Sequence, residues 1–142
     1  MAESGSESIK VNASASRILD VVADIESYPD WMPAFKQAKV LDAADGARPA
    51  RAEFEVDARL KVINYTLEYS WTDTSVSWNK VAGDVKEIKG SYDLSPDGDG
   101  TEVKYTYTID PGFPVPGFLM KQGVKMMVSG ALNDLKKRSE SA

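Results

Sequence analysis

An α+β fold, with consecutive antiparallel strands and helices kept to one face, is predicted by three features of this 142-residue chain. Apolar residues recur with period two from about residue 40 to residue 110. They recur with helical spacing in two other places, just after a short first strand and at the end of the chain. Clusters of Gly, Pro, Asp and Ser punctuate the period-two runs as turns do. A chain of this length forms one domain with one core, burying roughly 70% of its unfolded-state surface.

Taken in order, Ile9 and Val11 alternate with polar neighbours in ESIKVN, which reads as a strand. In NASASRILDVVADIES, Ser14 is placed to cap a helix, and Ile18, Val21, Val22 and Ile25 form its i, i+3, i+4, i+7 stripe. Pro29 predicts an end near Asp24 to Ser27, because proline pushes the preceding residue out of helical geometry. A second, short helical turn is expected over Trp31 to Phe35. Six strands then carry Val40; Ala52, Phe54 and Val56; Ile63, Tyr65, Leu67, Tyr69 and Trp71; Val76 and Trp78; Ile88, Gly90, Tyr92 and Leu94; and Val103, Tyr105, Tyr107 and Ile109. Their connections are DAADGARP, TDTS, AGD and SPDGDGT, with Gly98 or Gly100 expected to take the positive φ of a tight hairpin. After DPGFPVPG, the residues Val124, Met127, Val128, Ala131, Leu132 and Leu135 define a long helix, and Lys136, Lys137 and Arg138 suit the negative end of its dipole. The result is a curved antiparallel sheet of seven strands around one long C-terminal helix, with two short helices after the first strand. The space between sheet and helix is core or cavity.

Composition removes several kinds of chemistry. The net charge of −5 argues against electrostatic capture of nucleic acid, which needs a basic footprint. There is no cysteine, hence no disulfide, thiolate site or thiol nucleophile. With no histidine, the commonest general base and metal ligand are missing. The opening MAESGSES is small, polar and acidic, reading as a loose tail and not a secretion signal, and no apolar run reaches the ~18 residues of a membrane span. A cytoplasmic setting is the default expectation.

The strand alternation turns a set of aromatics inward: Phe54, Tyr65, Tyr69, Trp71, Trp78, Tyr92, Tyr105 and Tyr107, together with Leu67. Each buried O–H or N–H among them needs a partner, and an apolar wall with a few convergent polar groups is how small-molecule sites are built. The plainer alternative is that these rings fill the inside of a curved sheet. Glu53, Glu55, Asp57, Glu68, Glu87 and Asp93 fall on the outward phase, so no paired carboxylates are indicated inside. Lys80 shares the inward phase of Val76 and Trp78, although near a strand end its long stem reaches water. Ser77 and Ser91 have no histidine to activate them, DGDG at 97–100 reads as a turn and not a calcium loop, and no phosphate-cradling glycine pattern is present. No catalytic residue, metal or cofactor is therefore assigned.

The run VNASASRILDVVADIESYPDWMP, with Asp24, Tyr28, Pro29 and Trp31, and the run IKGSYDLSPDGDGTEVKYTYTID, with Gly90, Tyr92, Leu94, Pro96, Gly100 and Thr101, resemble the START-like (SRPBCC) superfamily. Within it the chain looks most like the bacterial polyketide cyclase/dehydrase and coenzyme-Q-binding branch. The resemblance covers residues 7–138, leaving 1–6 and 139–142 as tails. It implies a helix-grip fold with an apolar cavity for lipids, isoprenoids, sterols or polyketides. Tyr28, Trp31, Met32 and Phe35 would then form one side of the rim, with Phe113, Phe118 and Met120 facing them, and Val124 and Met127 would reach in from the helix. The alternative for the first group is that it caps the core against that helix. A binder or carrier of a hydrophobic molecule leads, a polyketide cyclase or dehydratase follows, and a protein-docking role for the rim is the third reading. Stable membrane insertion is not expected, and transient membrane contact stays open.

Overall fold

The structure, a computed structural model, describes residues 2–43, 48–57, 62–112 and 114–141. Strand β1 (Glu3–Val11) leads into α1 (Ala15–Ala23), a 3-10 turn at Ile25–Ser27 and the single turn α2 (Tyr28–Trp31). Six strands follow: β2 (Phe35–Ala43), β3 (Pro49–Asp57), β4 (Val62–Trp71), β5 (Ser75–Gly83), β6 (Glu87–Asp97) and β7 (Gly100–Asp110). Helix α3 (Gly117–Glu140) closes the chain. All seven strands form one antiparallel sheet in the order β1-β7-β6-β5-β4-β3-β2. Sequential strands are neighbours except that β1 returns beside β7, and α3 lies over β1, β7 and α1.

Local chemistry explains most boundaries. Ser14 caps α1, its Oγ accepting from Arg17 N at 3.1 Å, and Ile18, Leu19, Val21 and Val22 are buried. The break comes at Asp24, ahead of Pro29, and Ile25 is buried from the 3-10 turn. The second helical turn is Tyr28–Trp31, not Trp31 to Phe35, because Phe35 already opens β2. Tyr28 stands before a proline yet keeps helical angles, φ −51° and ψ −42°. Its ring is buried and its hydroxyl donates to the Val22 carbonyl, which outweighs the local preference. Gly98 takes φ +60° in the β6–β7 hairpin. Gly100 is small for a different reason, since a Cβ there would stand 2.5 Å from the Val11 carbonyl oxygen.

Both expected tails are shorter than the sequence suggests. Residues 3–6 are strand, and β1 pairs with β7 from Glu3↔Ile109 to Val11↔Thr101. A polar segment with little strand propensity is held by the long partner beside it. At the other end α3 runs to Glu140, and Ser139 is buried. The buried stripe of α3 is Val124, Val128, Leu132, Leu135 and Ser139, which leaves Met127 off it, 45% exposed. These side chains meet Val11, Ile18, Leu19, Val22 and Val103 in one continuous core that also includes Phe54, Leu67 and Val76.

Candidate functional site

The register sets out the concave face in rows. One runs Gly5, Tyr107, Gly90, Trp78, Tyr69 across β1, β7, β6, β5 and β4. The next runs Glu7, Tyr105, Tyr92, Val76, Trp71. In the first row rings alternate with glycines, and for a steric reason. A Cβ on Gly90 would fall 2.5 Å from the Trp78 ring, and one on Gly5 would fall 2.6 Å from the Tyr107 hydroxyl. The glycines are the floor on which the rings lie.

Rings then touch in two linked groups. Trp78 meets Tyr92 at 5.0 Å, Tyr105 at 5.7 Å and Tyr69 at 6.2 Å between centroids, and Tyr105 continues to Tyr107 at 5.7 Å. Tyr28 meets Trp31 and Phe35 edge-on at 5.4 Å and stacks on Phe54 at 6.0 Å, and Phe54 contacts Tyr65 at 5.5 Å. The candidate contacts Trp31, Phe35, Phe54, Tyr65, Leu67, Tyr69, Trp78, Tyr92, Tyr105 and Tyr107 thus belong to the core or pack against it. Met120 and Val124 join them from α3. Phe118, 73% exposed, and Met127 stand on the open side of that helix, away from the ring groups. Phe113 lies outside the described residues.

Phenol chemistry dominates this face. Tyr28 is satisfied by Val22, but the hydroxyls of Tyr65, Tyr69, Tyr92, Tyr105 and Tyr107 have no hydrogen-bond partner among the described residues. None of those five oxygens is sealed in packed protein; each borders accessible space, although Tyr69 and Tyr105 are more than nine-tenths withdrawn from solvent. Burial pushes the ionisation of Tyr65, Tyr69, Tyr92 and Tyr105 up, and the phenols raise one another further, Tyr28, Tyr65, Tyr92 and Tyr105 all acting on Tyr69. At neutral pH they are uncharged, each able to donate and accept.

Two charged groups complete the picture. Lys80 is on the inward phase and half-buried, and its Nζ donates to the Val85 carbonyl at 2.8 Å, tying the β5–β6 connection to β5. Glu7, absent from the sequence-based candidates, is an inward carboxylate: Ser129 on α3 is 2.9 Å and 3.0 Å from its two oxygens. The signal was available, because stepping back by twos from Val11 and Ile9 reaches Glu7 on the same face. No group of three or more acidic or other ligating side chains able to hold a metal exists among the described residues. Among the described residues, two surface hollows stand out. One of about 220 Å³, lined by Arg17, Asp20, Asp24 and Arg138, is charged and remote from the rings. The other, about 380 Å³, is shallow and lies over β5, β6 and β7 around Gly90, where the outward-phase residues Ser77, Asn79, Lys89, Ser91, Thr106 and Thr108 line it, so it belongs to the outer face of the sheet and not to the aromatic one.

This sheet, its grip on the terminal helix and its aromatic face coincide with a match to the family of polyketide cyclases/dehydrases and lipid transport over residues 3–140, and the chain belongs to that family. The cyclase and lipid-transport side of the resemblance is what this match supports. A START superfamily protein from Mycobacterium smegmatis is similar in structure, with TM-score 0.86, 23% identity and coverage of 96% of this chain and 97% of that one. The Zhui aromatase/cyclase from Streptomyces sp. R1128 superposes with TM-score 0.82 at 16% identity, over 99% and 94%. A STAR-related lipid transfer protein from Xanthomonas axonopodis gives 0.76 at 21% identity, over 96% and 85%. At these identities the likeness establishes the helix-grip fold. No significant match exists among curated protein sequences.

Proposed function

We propose that the chain binds a hydrophobic small molecule, lipid, isoprenoid or polyketide-like, between the concave face of the sheet and α3, and holds or carries it in the cytoplasm. The observation that supports this most is the state of the phenols: rings deep in the protein, hydroxyls unpaired and bordering space. A core packed only for stability would have closed over these hydroxyls with partners, whereas here they face space that a ligand's polar group can fill. Apolar burial at ~25 cal/mol per Å² would drive binding, and the phenols would orient the ligand. The family's lipid-transport members and the lipid transfer protein of the same fold support the class of ligand. No described helix is long and apolar enough to cross a membrane.

Titration with N-phenyl-1-naphthylamine, an uncharged probe that brightens on leaving water, tests the reading. Tyr65→Phe should change its Kd about two- to tenfold, the worth of one hydrogen bond. Glu68→Gln, on the outer face beside Arg51, should leave it within about twofold of wild type, roughly the ±0.5 kcal/mol expected of surface changes. No brightening at all, or equal responses from both variants, would contradict an internal site.

Glu7 favours a second reading, a cyclase or dehydratase, because a carboxylate on the concave face beside Tyr105 is more than a carrier needs. It could take a proton from a ketone-bearing chain that the pocket folds toward a reactive shape. Loss of turnover of such a chain in Glu7→Gln, with probe binding kept, would select this reading over carriage.

A further inference from the structure

The three tryptophans treat their indole N–H groups differently. Trp71 Nε1 donates to the Pro49 carbonyl at 2.7 Å. Trp78 stands partly exposed on its glycine floor, its Nε1 not shut inside packed protein. Trp31 Nε1 is fully enclosed and has no acceptor among the described residues. A native fold seldom tolerates this, because a buried donor without an acceptor forfeits its hydration for nothing. Trp31 is the last residue of α2, a single turn that contains Pro29 and is followed by Pro33, and its ring meets Tyr28 edge-on. Tyr28 passes the contact to Phe54 and Phe54 to Tyr65, so Trp31 terminates the run of rings that leads to the unpaired Tyr65 hydroxyl.

We propose that Trp31 Nε1–H is the polar anchor of the ligand, and that the occupant carries a carbonyl or ether oxygen at the α2 end of the aromatic face, which accepts this hydrogen when α2 adjusts around it. The inference rests on the hydrophobic-ligand reading above and narrows it. A pure hydrocarbon gains apolar burial but leaves the N–H orphaned, whereas an oxygenated ligand of the same shape satisfies it. Trp31 therefore sets specificity for oxygenation at one position.

The test uses the full chain with ¹⁵N-labelled tryptophan, whose three indole N–H resonances are assigned with Trp31→Phe, Trp71→Phe and Trp78→Phe. Fluorenone and fluorene, matched in shape and differing in one carbonyl, are the probes. The expected result is a downfield shift of the Trp31 indole proton with fluorenone and none with fluorene. Trp31→Phe should weaken fluorenone about five- to tenfold, the worth of one hydrogen bond, and leave fluorene within twofold. If both probes bind and the Trp31 proton responds alike to each, the anchor is wrong while the hydrophobic site stands. If neither binds, the site itself fails and the anchor with it. The wild-type shift remains decisive even if Trp31→Phe lowers stability.

Discussion

Tyr65, Tyr69, Tyr92 and Tyr105 hold their protons more tightly in the folded chain than the ordinary phenol value of 10.0, first because they are buried and then because they are close to one another. The stability consequence has a definite sign. Below about pH 10 both states are protonated and the native packing contributes in full. Above it the unfolded chain releases protons that the native chain keeps, so stability falls as pH rises, by at most about 1.4 kcal/mol per pH unit for each phenol. Tm should be flat to pH 9.5 and fall beyond it, and Tyr69→Phe should make the fall shallower. A Tm unchanged to pH 11 would contradict the burial of these hydroxyls. The inward rings were legible from alternation alone, because a period of two leaves one choice of face for each strand. What alternation does not carry is whether a hydroxyl finds a partner, since that depends on strands distant in sequence.

At the scale of elements, α3 is held at its C-terminal half. Arg17 of α1 donates to the carbonyls of Ser139 at 3.3 Å, Arg138 at 3.2 Å and Ser141 at 3.2 Å, serving oxygens that the helix end leaves without intrahelical donors. Glu140 accepts from Asn12 N at 2.7 Å, and Lys136 Nζ donates to the Lys10 carbonyl at 3.1 Å. Arg17→Ala should cost about 1–2 kcal/mol in chemical denaturation and speed amide exchange in the last turns of α3, with Arg17→Lys recovering only part. An unchanged exchange rate there would show that the cap is not what holds the helix. The helices and the six later strands could be read from periodicity, but β1 could not be read back to Glu3. Its SGSES stretch has no apolar signal, and only pairing with β7 makes it a strand. For the same reason Glu7 reads from sequence as part of a polar tail. The boundary between α2 and β2 moved for a related reason: Phe35 serves the β2–β3 pairing and the Tyr28 ring at once.

For the whole molecule, seven strands curl their aromatic face toward a helix anchored at one end, and the residues that give the sheet its floor, Gly5 and Gly90, are those that let Tyr107 and Trp78 lie flat against it. Five unpaired phenols lie along that face, and two enclosed polar atoms lack a partner among the described residues, Trp31 Nε1 on α2 and Ser139 Oγ on α3. The exposed apolar residues Phe118, Leu119 and Met126 lie on the N-terminal half of α3, the half without polar anchors among those described above. The most direct test of a ligand-holding face is native mass spectrometry of the freshly purified chain, followed by incubation with an oxygenated hydrophobic extract and a second spectrum. A stoichiometric adduct that organic solvent removes, present at once or after incubation, is the predicted result. A bare 142-residue mass in both spectra would contradict it.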